Sequence, residues 1–409
     1  MQYANIIHDY ILIAILLALT GFMSFFGWSH GLFFFMPYIL LLFYRRNCHL
    51  SKQTRWVLFG LSILILLQMR VHQGSLIQSV LYVLRLLLLA MSAVILAPRF
   101  SKTFPKVMYI ICVVSLFFWI IFFISPIKSF FIAIAQHLPE FRAESFLDRT
   151  TNDSYSIYIY TISKETIRNS GPFFEPGMFT VFITLALAMR MFNNKRLLTL
   201  PTIVLFITNL TTFSTTGYIA MVFLFFGYVF AGKLQKWHKV LILLIMVVLV
   251  RYVLSLDFMQ EKIEEEIAET YDPSSRFGAI FYHWEKIRLA PFLGYGINKL
   301  PLTDSDTLFG GVEATIAPNG ISYMAILFGI PGAILYFVFI FLSSRILICK
   351  SSKLQQLVMM TVILALVFSQ DVTGRLFFFL LFFMGVESLN NKYNVTNEEN
   401  RDSLLLPVS

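Results

Sequence analysis

The polar residues with the clearest potential for chemistry lie in one stretch, Arg168-Asn-Ser-Gly-Pro-Phe-Phe-Glu-Pro-Gly, which runs into an apolar segment. Pro176 suits the first turn of a helix, and Glu175 precedes it near the cap. A helix that starts here presents free backbone N–H groups and the positive end of its dipole, and Arg168 is close enough to help them hold a phosphate. In the structural alternative, Glu175 only caps the helix and Arg168 only pairs with a carboxylate.

A second group of candidates lies between residues 257 and 317. At helical spacing, Arg276 and His283 share one face, while Arg288 shares another with aromatic residues. This pattern predicts an interfacial helix with an aromatic side in the membrane surface and a cationic side toward a cavity. Simple membrane anchoring is the alternative. Asn319 follows in Ala317-Pro-Asn-Gly and is suited to capping the next helix.

Hydroxyl groups form a third group of candidates. Ser214 and Thr215 lie in Thr211-Thr-Phe-Ser-Thr-Thr-Gly, which suits another helix start. They either only cap that helix or also form hydrogen bonds with a sugar or phosphate. Arg142 and Arg149, in the loop before Arg168, are further candidate phosphate contacts.

Three ionisable residues lie within or beside apolar segments: Arg85, Asp371 and Arg375. A charge in a membrane is costly unless it faces a polar cavity or has a partner, so these residues are functional candidates. A purely structural ion pair between Asp371 and Arg375 is the alternative. We treat Arg375 as a candidate substrate contact.

The elements that position these residues are predicted to be membrane helices. Of the 409 residues, 57% are hydrophobic and 13% charged, and the mean hydropathy is +0.74. A soluble core of this size needs less apolar surface, so we predict an all-α, polytopic membrane helix bundle. The run Leu376-Phe-Phe-Phe-Leu-Leu-Phe-Phe is predicted to face lipid. We expect about 12 transmembrane helices, near residues 6–26, 30–44, 55–69, 76–97, 107–125, 173–192, 197–213, 215–231, 238–256, 318–342, 354–370 and 374–390.

The distribution of charge predicts the topology. The net charge is +9, but Lys and Arg lie in small groups between apolar segments, which disfavours a nucleic-acid partner. With the N-terminus in the cytoplasm, these groups fall in short internal loops, as the positive-inside rule requires. The predicted organisation is N-terminal membrane helices (1–125), a first long external loop (126–172), central membrane helices (173–256), a second long external loop with the interfacial helix (257–317), C-terminal membrane helices (318–390) and a cytoplasmic tail (391–409).

No cofactor or metal is expected from the sequence. The three cysteines, Cys48, Cys112 and Cys349, have no paired spacing, and neither a Walker loop nor a dinucleotide fingerprint is present.

The order of these motifs resembles the Wzy-type O-antigen and capsular polysaccharide polymerases, members of the O-antigen ligase and polymerase superfamily. The resemblance covers about residues 140–345. It rests on the segment from Arg168 to Pro176, on Phe213-Ser-Thr-Thr-Gly, on Ser275-Arg276 followed by Pro291 and Gly294-Tyr-Gly296, and on Pro318-Asn319-Gly320 leading into Phe328-Gly-Ile-Pro-Gly.

The resemblance implies a GT-C-like, metal-independent glycosyltransferase in the bacterial inner membrane, with both termini in the cytoplasm and the active site outside. Its substrates would be undecaprenyl-pyrophosphate-linked oligosaccharides, and a chain-length regulator and a flippase are possible partners. We expect inversion at the anomeric carbon, with Arg168 and Arg276 holding the pyrophosphate and Glu175 as general base. The expected substrate-binding residues are Arg142, Arg149, Arg288, His283, Ser214, Thr215, Asn319 and Arg375.

Two other functions remain open from the sequence. An O-antigen ligase, which transfers polymer to the lipid A core, tends to have a His-Asn step where this chain has Pro318-Asn319. The missing His favours a polymerase. A flippase for the same lipid-linked unit is expected to have short outer loops and charged residues inside the bundle, whereas the arginines here lie in long outer loops.

Overall fold

The computed structural model describes residues 2–25, 29–139, 154–163, 168–194, 199–231, 276–296, 319–349, 352–370 and 372–390, with single helical positions at 237, 239, 240, 244, 247, 248 and 251. This part of the chain is mostly helical. Its helices are α1 Gln2–Gly21, α2 Met36–Arg45, α3 Lys52–Val71, α4 Leu76–Leu96, α5 Phe100–Ile121, α6 Ser125–Ala135, α7 Pro176–Asn193, α8 Leu200–Thr211, α9 Thr215–Ala231, α10 Arg276–Leu289, α11 Gly320–Leu347, α12 Lys353–Phe368 and α13 Leu376–Glu387. Short 3-10 segments cover Met23–Phe25 and Ser29–Phe35.

Five of these helices, α3, α4, α5, α7 and α11, are long and apolar enough to cross a membrane by length and composition. Shorter apolar helices occupy the other predicted spans that the structure describes. Most of the span predicted at 238–256 lies outside the described residues. The predicted pattern of apolar helices is therefore confirmed, while the predicted number of spans stays a prediction.

The prediction of an all-α fold is wrong at one place, the first long loop. After α6, two short strands, β1 (Ser154–Ser156) and β2 (Thr161–Ser163), pair antiparallel, with Ser156 opposite Thr161. Tertiary contacts hold this hairpin, because Ser156 Oγ lies 2.7 Å from Ser24 Oγ and Thr161 N donates to Gly171 O at 2.6 Å. Strands this short carry almost no sequence signal, so the composition of the loop did not predict them.

The phenylalanine-rich helix α13 is buried at every residue from Leu376 to Glu387, so the prediction that it faces lipid is wrong. It packs against α11, α4, α1 and α3. Gly385 lies against the backbone carbonyl of Phe339 in α11, an approach that leaves no room for a side chain. A helix that is apolar on all sides fits either lipid or the centre of a bundle, and here it forms the centre.

Side-chain contacts separate the loops into two groups at opposite ends of the helices. At one end, the buried Asp9 pairs with Arg46 at 2.6 Å and with Arg99 at 3.5 Å. Further contacts at this end join Glu387 to Thr54, Asn193 to Cys349, Ser101 to Cys349 and Gln355 to Ala231. The basic loops that were predicted to be internal therefore gather together. Described parts of the segments that were predicted to be external lie at the other end, where Arg168 contacts Thr212 and His283 contacts Ser322.

Candidate functional site

Helix α7 begins at Pro176, as predicted, with Glu175 in an extended conformation at the N-cap (φ −144°, ψ 157°). The Glu175 side chain forms no hydrogen bond with the backbone N–H groups of the first turn, so it does not cap the helix as the structural alternative required. The chain before the helix is held to the end of α1, where Met23 N donates to Pro172 O and Phe174 N donates to Gly21 O, both at 2.9 Å. The position of this helix start is thus set by two main-chain hydrogen bonds to another helix.

Arg168 lies beside the turn between α8 and α9, because its Nε donates to Thr212 O at 3.3 Å. The neighbouring Asn169 is fully buried and forms two further hydrogen bonds with the same turn. Its backbone N donates to Thr211 O at 2.9 Å, and its side-chain Nδ2 donates to Thr211 Oγ1 at 3.0 Å. Ser214, in the same turn, is also buried. The structure therefore brings Arg168 and Ser214 together, and Thr215 begins α9 directly after them.

Asn169 was not among the candidate residues, although it organises this part of the site. Its Oδ1 also accepts hydrogen bonds from Ser115 Oγ at 2.5 Å and from Gly171 N at 3.0 Å. Asparagine is common in turns, so its position in the sequence does not distinguish it from a surface residue. Only its complete burial and its four hydrogen bonds identify it.

A buried polar network continues from this turn between α7, α8 and α9. Thr180 donates to Asn209, which in turn donates to Thr184 Oγ1 at 3.0 Å. Gly217 packs directly on Thr180, so α9 approaches α7 closely at this level. The Thr216 hydroxyl is buried and has no hydrogen-bond partner in the described part of the chain. The network fixes the relative positions of the α7 and α9 starts.

On the other side of α7, the start of α11 carries Asn319, which is 1% exposed. Its Oδ1 accepts from Ile321 N at 3.0 Å and from Ser322 N at 3.2 Å, so the predicted capping role is confirmed. Gly320 O accepts a hydrogen bond from Thr373 Oγ1 at 2.8 Å. The α11 start is therefore tied to the chain segment that leads into α13.

Gln370 connects the starts of α7 and α11. Its side-chain amide lies against Gly177, where a Cβ atom would collide with it, and its carbonyl lies against Gly320. Arg375 ends the same segment and occupies the N-cap of α13 in an extended conformation. The helix starts at Glu175 and Asn319 are thus joined through Gln370, and Thr373 ties the α11 start to the segment that ends at Arg375.

The convergence of helix starts determines the electrostatics of this end of the bundle. The starts of α7, α9, α11 and α13 each place the positive end of a helix dipole at this end of the bundle. Some of their first N–H groups already have partners, since Ile321 N donates to Asn319 Oδ1 and Phe377 N donates to Thr20 Oγ1. Arg168 and Arg375 add full charges beside them. Such an arrangement binds anions, and phosphate groups in particular.

A helix, α10, begins at Arg276 as predicted, while its interfacial position in a membrane stays a prediction. Its aromatic residues Phe281 and Trp284 are exposed, as predicted for a side in the membrane surface. His283 is 1% exposed and lies against α11, where its Nδ1 is 2.6 Å from Ser322 Oγ. The imidazole therefore does not line an open cavity as expected, and burial lowers the pKa of His283 to about 4.

The remaining arginine candidates are not brought to the helix starts by any described contact. Arg288 lies in the last turn of α10, where it is exposed and forms a 3.4 Å ion pair with Glu285. Arg142, Arg149 and the side chain of Arg276 lie outside the described residues, as does Asp371. Within the described residues, no group of three His, Cys, Asp or Glu side chains has the spacing of a metal site.

The glycine motif after α10 has a structural explanation. Residues 291–296, the docking segment, lie in a break of α11 at Gly329 (φ 72°, ψ 171°). Tyr295 N donates to Ile326 O at 2.8 Å, and Ile330 N donates to Pro291 O at 2.7 Å. A Cβ on Gly294 would lie 2.5 Å from Gly329 N, so the close approach requires glycine. The docking segment supplies partners for the backbone groups that the helix break leaves free.

Gln68 of α3 holds the docking segment from the other side, and the sequence did not single it out. Its Nε2 donates to Leu293 O at 2.6 Å and to Leu327 O at 2.8 Å. His72, one turn later, has Nε2 2.9 Å from Gly294 O. These contacts fix the end of α10 between α3 and α11.

Neither a protein-family model, nor a curated protein, nor a solved structure matches the chain. The function must therefore be argued from the residues and their arrangement. That arrangement combines four helix starts, Arg168 and Arg375 with a carboxylate, Glu175, at one end of a bundle of apolar helices. Helix dipoles and arginines favour an anion such as a phosphate, and a carboxylate can accept a proton.

Proposed function

We propose that the chain is a polysaccharide polymerase of the bacterial inner membrane, a metal-independent glycosyltransferase that joins undecaprenyl-pyrophosphate-linked repeat units. The observation that carries the proposal is the convergence of the α7, α9, α11 and α13 starts beside Arg168, at the end opposite the basic loops. A lipid pyrophosphate is the anion that such an end of a membrane bundle would meet. The order of motifs that resembles the Wzy-type polymerases supports the same conclusion.

In the proposed reaction, a hydroxyl of the acceptor repeat unit attacks the anomeric carbon of the donor glycan with inversion. The bond between that carbon and the pyrophosphate oxygen breaks, and the pyrophosphate leaves on its lipid. Arg168 and Arg276 hold the pyrophosphate and stabilise the charge that it gains. Glu175 takes the proton of the attacking hydroxyl. Ser214, Thr215 and Asn319 lie at the starts of α9 and α11, at the same end of the bundle.

The topology that this function needs follows from the charge pattern. The loops joined around Asp9 and Arg46 would face the cytoplasm, and both termini would lie there. The helix starts would then face outward, where lipid-linked repeat units are presented. The GT-C-like arrangement of about 12 spans is part of the same proposal.

A second candidate function is supported by the position of His283. The ligase branch of the superfamily tends to have a histidine directly before the residue that corresponds to Asn319, and this chain has Pro318 there. In the fold, α10 supplies an imidazole 2.6 Å from Ser322, three residues after Asn319. An O-antigen ligase that transfers finished polymer to the lipid A core is therefore the alternative.

Complementation of a strain that lacks the gene tests both candidates. We expect wild-type protein to restore long glycan chains, and Arg168→Ala, Glu175→Ala and Arg276→Ala to leave single repeat units attached to their final acceptor. Arg168→Lys keeps the positive charge and therefore distinguishes a loss of charge from a loss of folding. Arg70→Ala, which removes an exposed arginine at the same end of the helices, is the matched control. Membrane abundance of each variant is measured by immunoblot.

The outcomes separate the functions. Loss of a polymerase leaves one repeat unit attached, whereas loss of a ligase leaves none. If all three alanine variants make full-length chains at normal abundance, the proposed site is wrong. If the strain without the gene has no attached repeat units, the ligase replaces the polymerase as the function.

A further inference from the structure

Arg85 is a charged residue in a helix that is apolar enough to cross a membrane, and the proposed reaction does not use it. It lies nine residues after the start of α4 at Leu76, which corresponds to about 13 Å along the helix axis. Its guanidinium carbon is 5.2 Å from the centre of the Tyr82 ring, one turn closer to the helix start. The side chain therefore extends toward the same end of the bundle as the α7 and α11 starts, as long basic side chains do in membranes.

No acidic residue in the described part of the chain pairs with Arg85. Four acidic side chains are described, and three of them have other partners: Asp9 pairs with Arg46, Glu285 with Arg288, and Glu387 with Thr54. The fourth, Glu175, is at the N-cap of α7. Arg85 Nε is buried and has no hydrogen-bond partner among the described residues.

A guanidinium group keeps its charge in a protein, so this charge needs a partner from outside the described structure. The contact with Tyr82 stabilises a cation by about 1–2 kcal/mol when it is desolvated, which is less than the cost of leaving an arginine unpaired within a bilayer. An anion beside Arg85 supplies the stabilisation of the charge that the Tyr82 ring alone does not provide.

The position of Arg85 on α4 indicates where that anion comes from. Ile77, Val80 and Leu84 form an exposed stripe on the outer half of α4, and Leu84 directly precedes Arg85. The opposite face, which includes Tyr82, is buried. Arg85 is partly exposed and lies at the boundary between the two faces. The exposed part of Arg85 therefore adjoins the exposed stripe of α4, and an anion can approach it from that side.

We infer that Arg85 binds the phosphate of an anionic phospholipid whose acyl chains cover Ile77, Val80 and Leu84. The number of charges decides between lipid classes. One guanidinium matches the single negative charge of a phosphodiester, whereas a lipid diphosphate carries more charge and requires more than one cation. Nε is the guanidinium nitrogen that is buried without a partner, so the charge-assisted hydrogen bonds to a phosphate oxygen would come from the two Nη groups. The inference does not depend on the proposed function.

The site is tested with purified full-length protein in a mild detergent, titrated with phosphatidylglycerol or with phosphatidylcholine of the same acyl chains. Thermal unfolding is followed, and bound lipids are counted by native mass spectrometry. For wild-type protein we expect the anionic lipid to raise the unfolding temperature more and to bind about tenfold more tightly, which corresponds to about 1.4 kcal/mol. Arg85→Gln should remove this difference, and Arg85→Lys should keep part of it.

Arg70→Gln is the matched control, because Arg70 is an exposed arginine in the last turn of α3 and should leave the preference unchanged. Equal effects of the two lipids on wild-type protein overturn the inference without any variant, so it remains testable if Arg85→Gln does not fold. A preference that survives in Arg85→Gln also overturns it. Undecaprenyl diphosphate is titrated in parallel, and stronger stabilisation by this lipid that is lost in Arg85→Gln would show that the occupant is not a phospholipid.

Discussion

Replacement of Gln68 by alanine tests how the docking segment is held between α3 and α11. The Gln68 side chain is 2% exposed and donates to two backbone carbonyl groups, Leu293 O at 2.6 Å and Leu327 O at 2.8 Å. Leu327 O also accepts from Gly296 N at 3.1 Å, so it keeps one partner in the variant. The larger loss is therefore at Leu293 O.

The magnitude follows from these two contacts. A buried acceptor that loses its donor costs about 1–3 kcal/mol, and the loss of a second hydrogen bond to a group that keeps a partner costs about 1 kcal/mol. Gln68 Oε1 is itself buried without a hydrogen-bond partner in the described structure, so its removal offsets part of the loss. We expect Gln68→Ala to lower the free energy of unfolding by about 2 kcal/mol.

The free energy of unfolding is measured by titration with dodecyl sulfate in mixed micelles, and hydrogen exchange is measured at the docking segment. The amides of Tyr295 and Gly296 should exchange faster in Gln68→Ala, because both donate to α11 within that contact. Gln78→Ala is the control, since Gln78 is exposed in the first turn of α4 and its loss should change stability by less than about 0.5 kcal/mol. If the two variants match in stability and exchange, Gln68 does not hold the segment.

Three further predictions follow from the packing and the buried charges. Gly385→Ala should abolish accumulation of folded protein, because the new methyl group collides with Phe339 O. Gly60→Ala is the control and should accumulate normally, because a Cβ there meets nothing within 4 Å. Equal amounts of the two variants in immunoblots of membranes would contradict this prediction. Burial lowers the pKa of His283 from 6.5 to about 4, so protonation favours the state in which α10 is undocked. The free energy of docking α10 should therefore weaken by about 3 kcal/mol in total as the pH falls from 6.5 to 4. Hydrogen exchange of α10 at pH 7 and pH 4.5 measures this change, and an equal pH dependence in His283→Gln would refute the assignment. Asp9→Asn leaves buried arginine charge unpaired and should lower the free energy of unfolding by about 3–5 kcal/mol in the same micelle titration; a loss below about 1 kcal/mol would show that the pair is not structural.

The helix starts at the candidate site were predictable because their signals are local. Pro176 follows an extended residue, and Asn319 precedes a helix whose first free N–H groups it caps. Both signals depend only on the backbone geometry of neighbouring residues. The helix from Arg276 was predictable for a similar reason, since its faces differ at helical spacing.

The burial of α13 was not predictable from its composition. A run of phenylalanine and leucine between Leu376 and Phe383 is equally compatible with lipid and with the interior of a bundle, because both are apolar. The only local sign was Gly385, whose small size permits contact with the backbone of α11. A single glycine does not reveal which helix approaches it.

The sequence by itself determined that the chain forms apolar helices, where several of them begin, and which loops carry the basic residues. These properties depend on hydrophobicity, capping and charge within short segments of the chain. Only the tertiary structure decided which residues complete the candidate site and the core. Asn169, Gln68 and Ser322 contact partners that lie 39 to 259 positions away in the sequence. Local sequence patterns carry no information about such distant contacts.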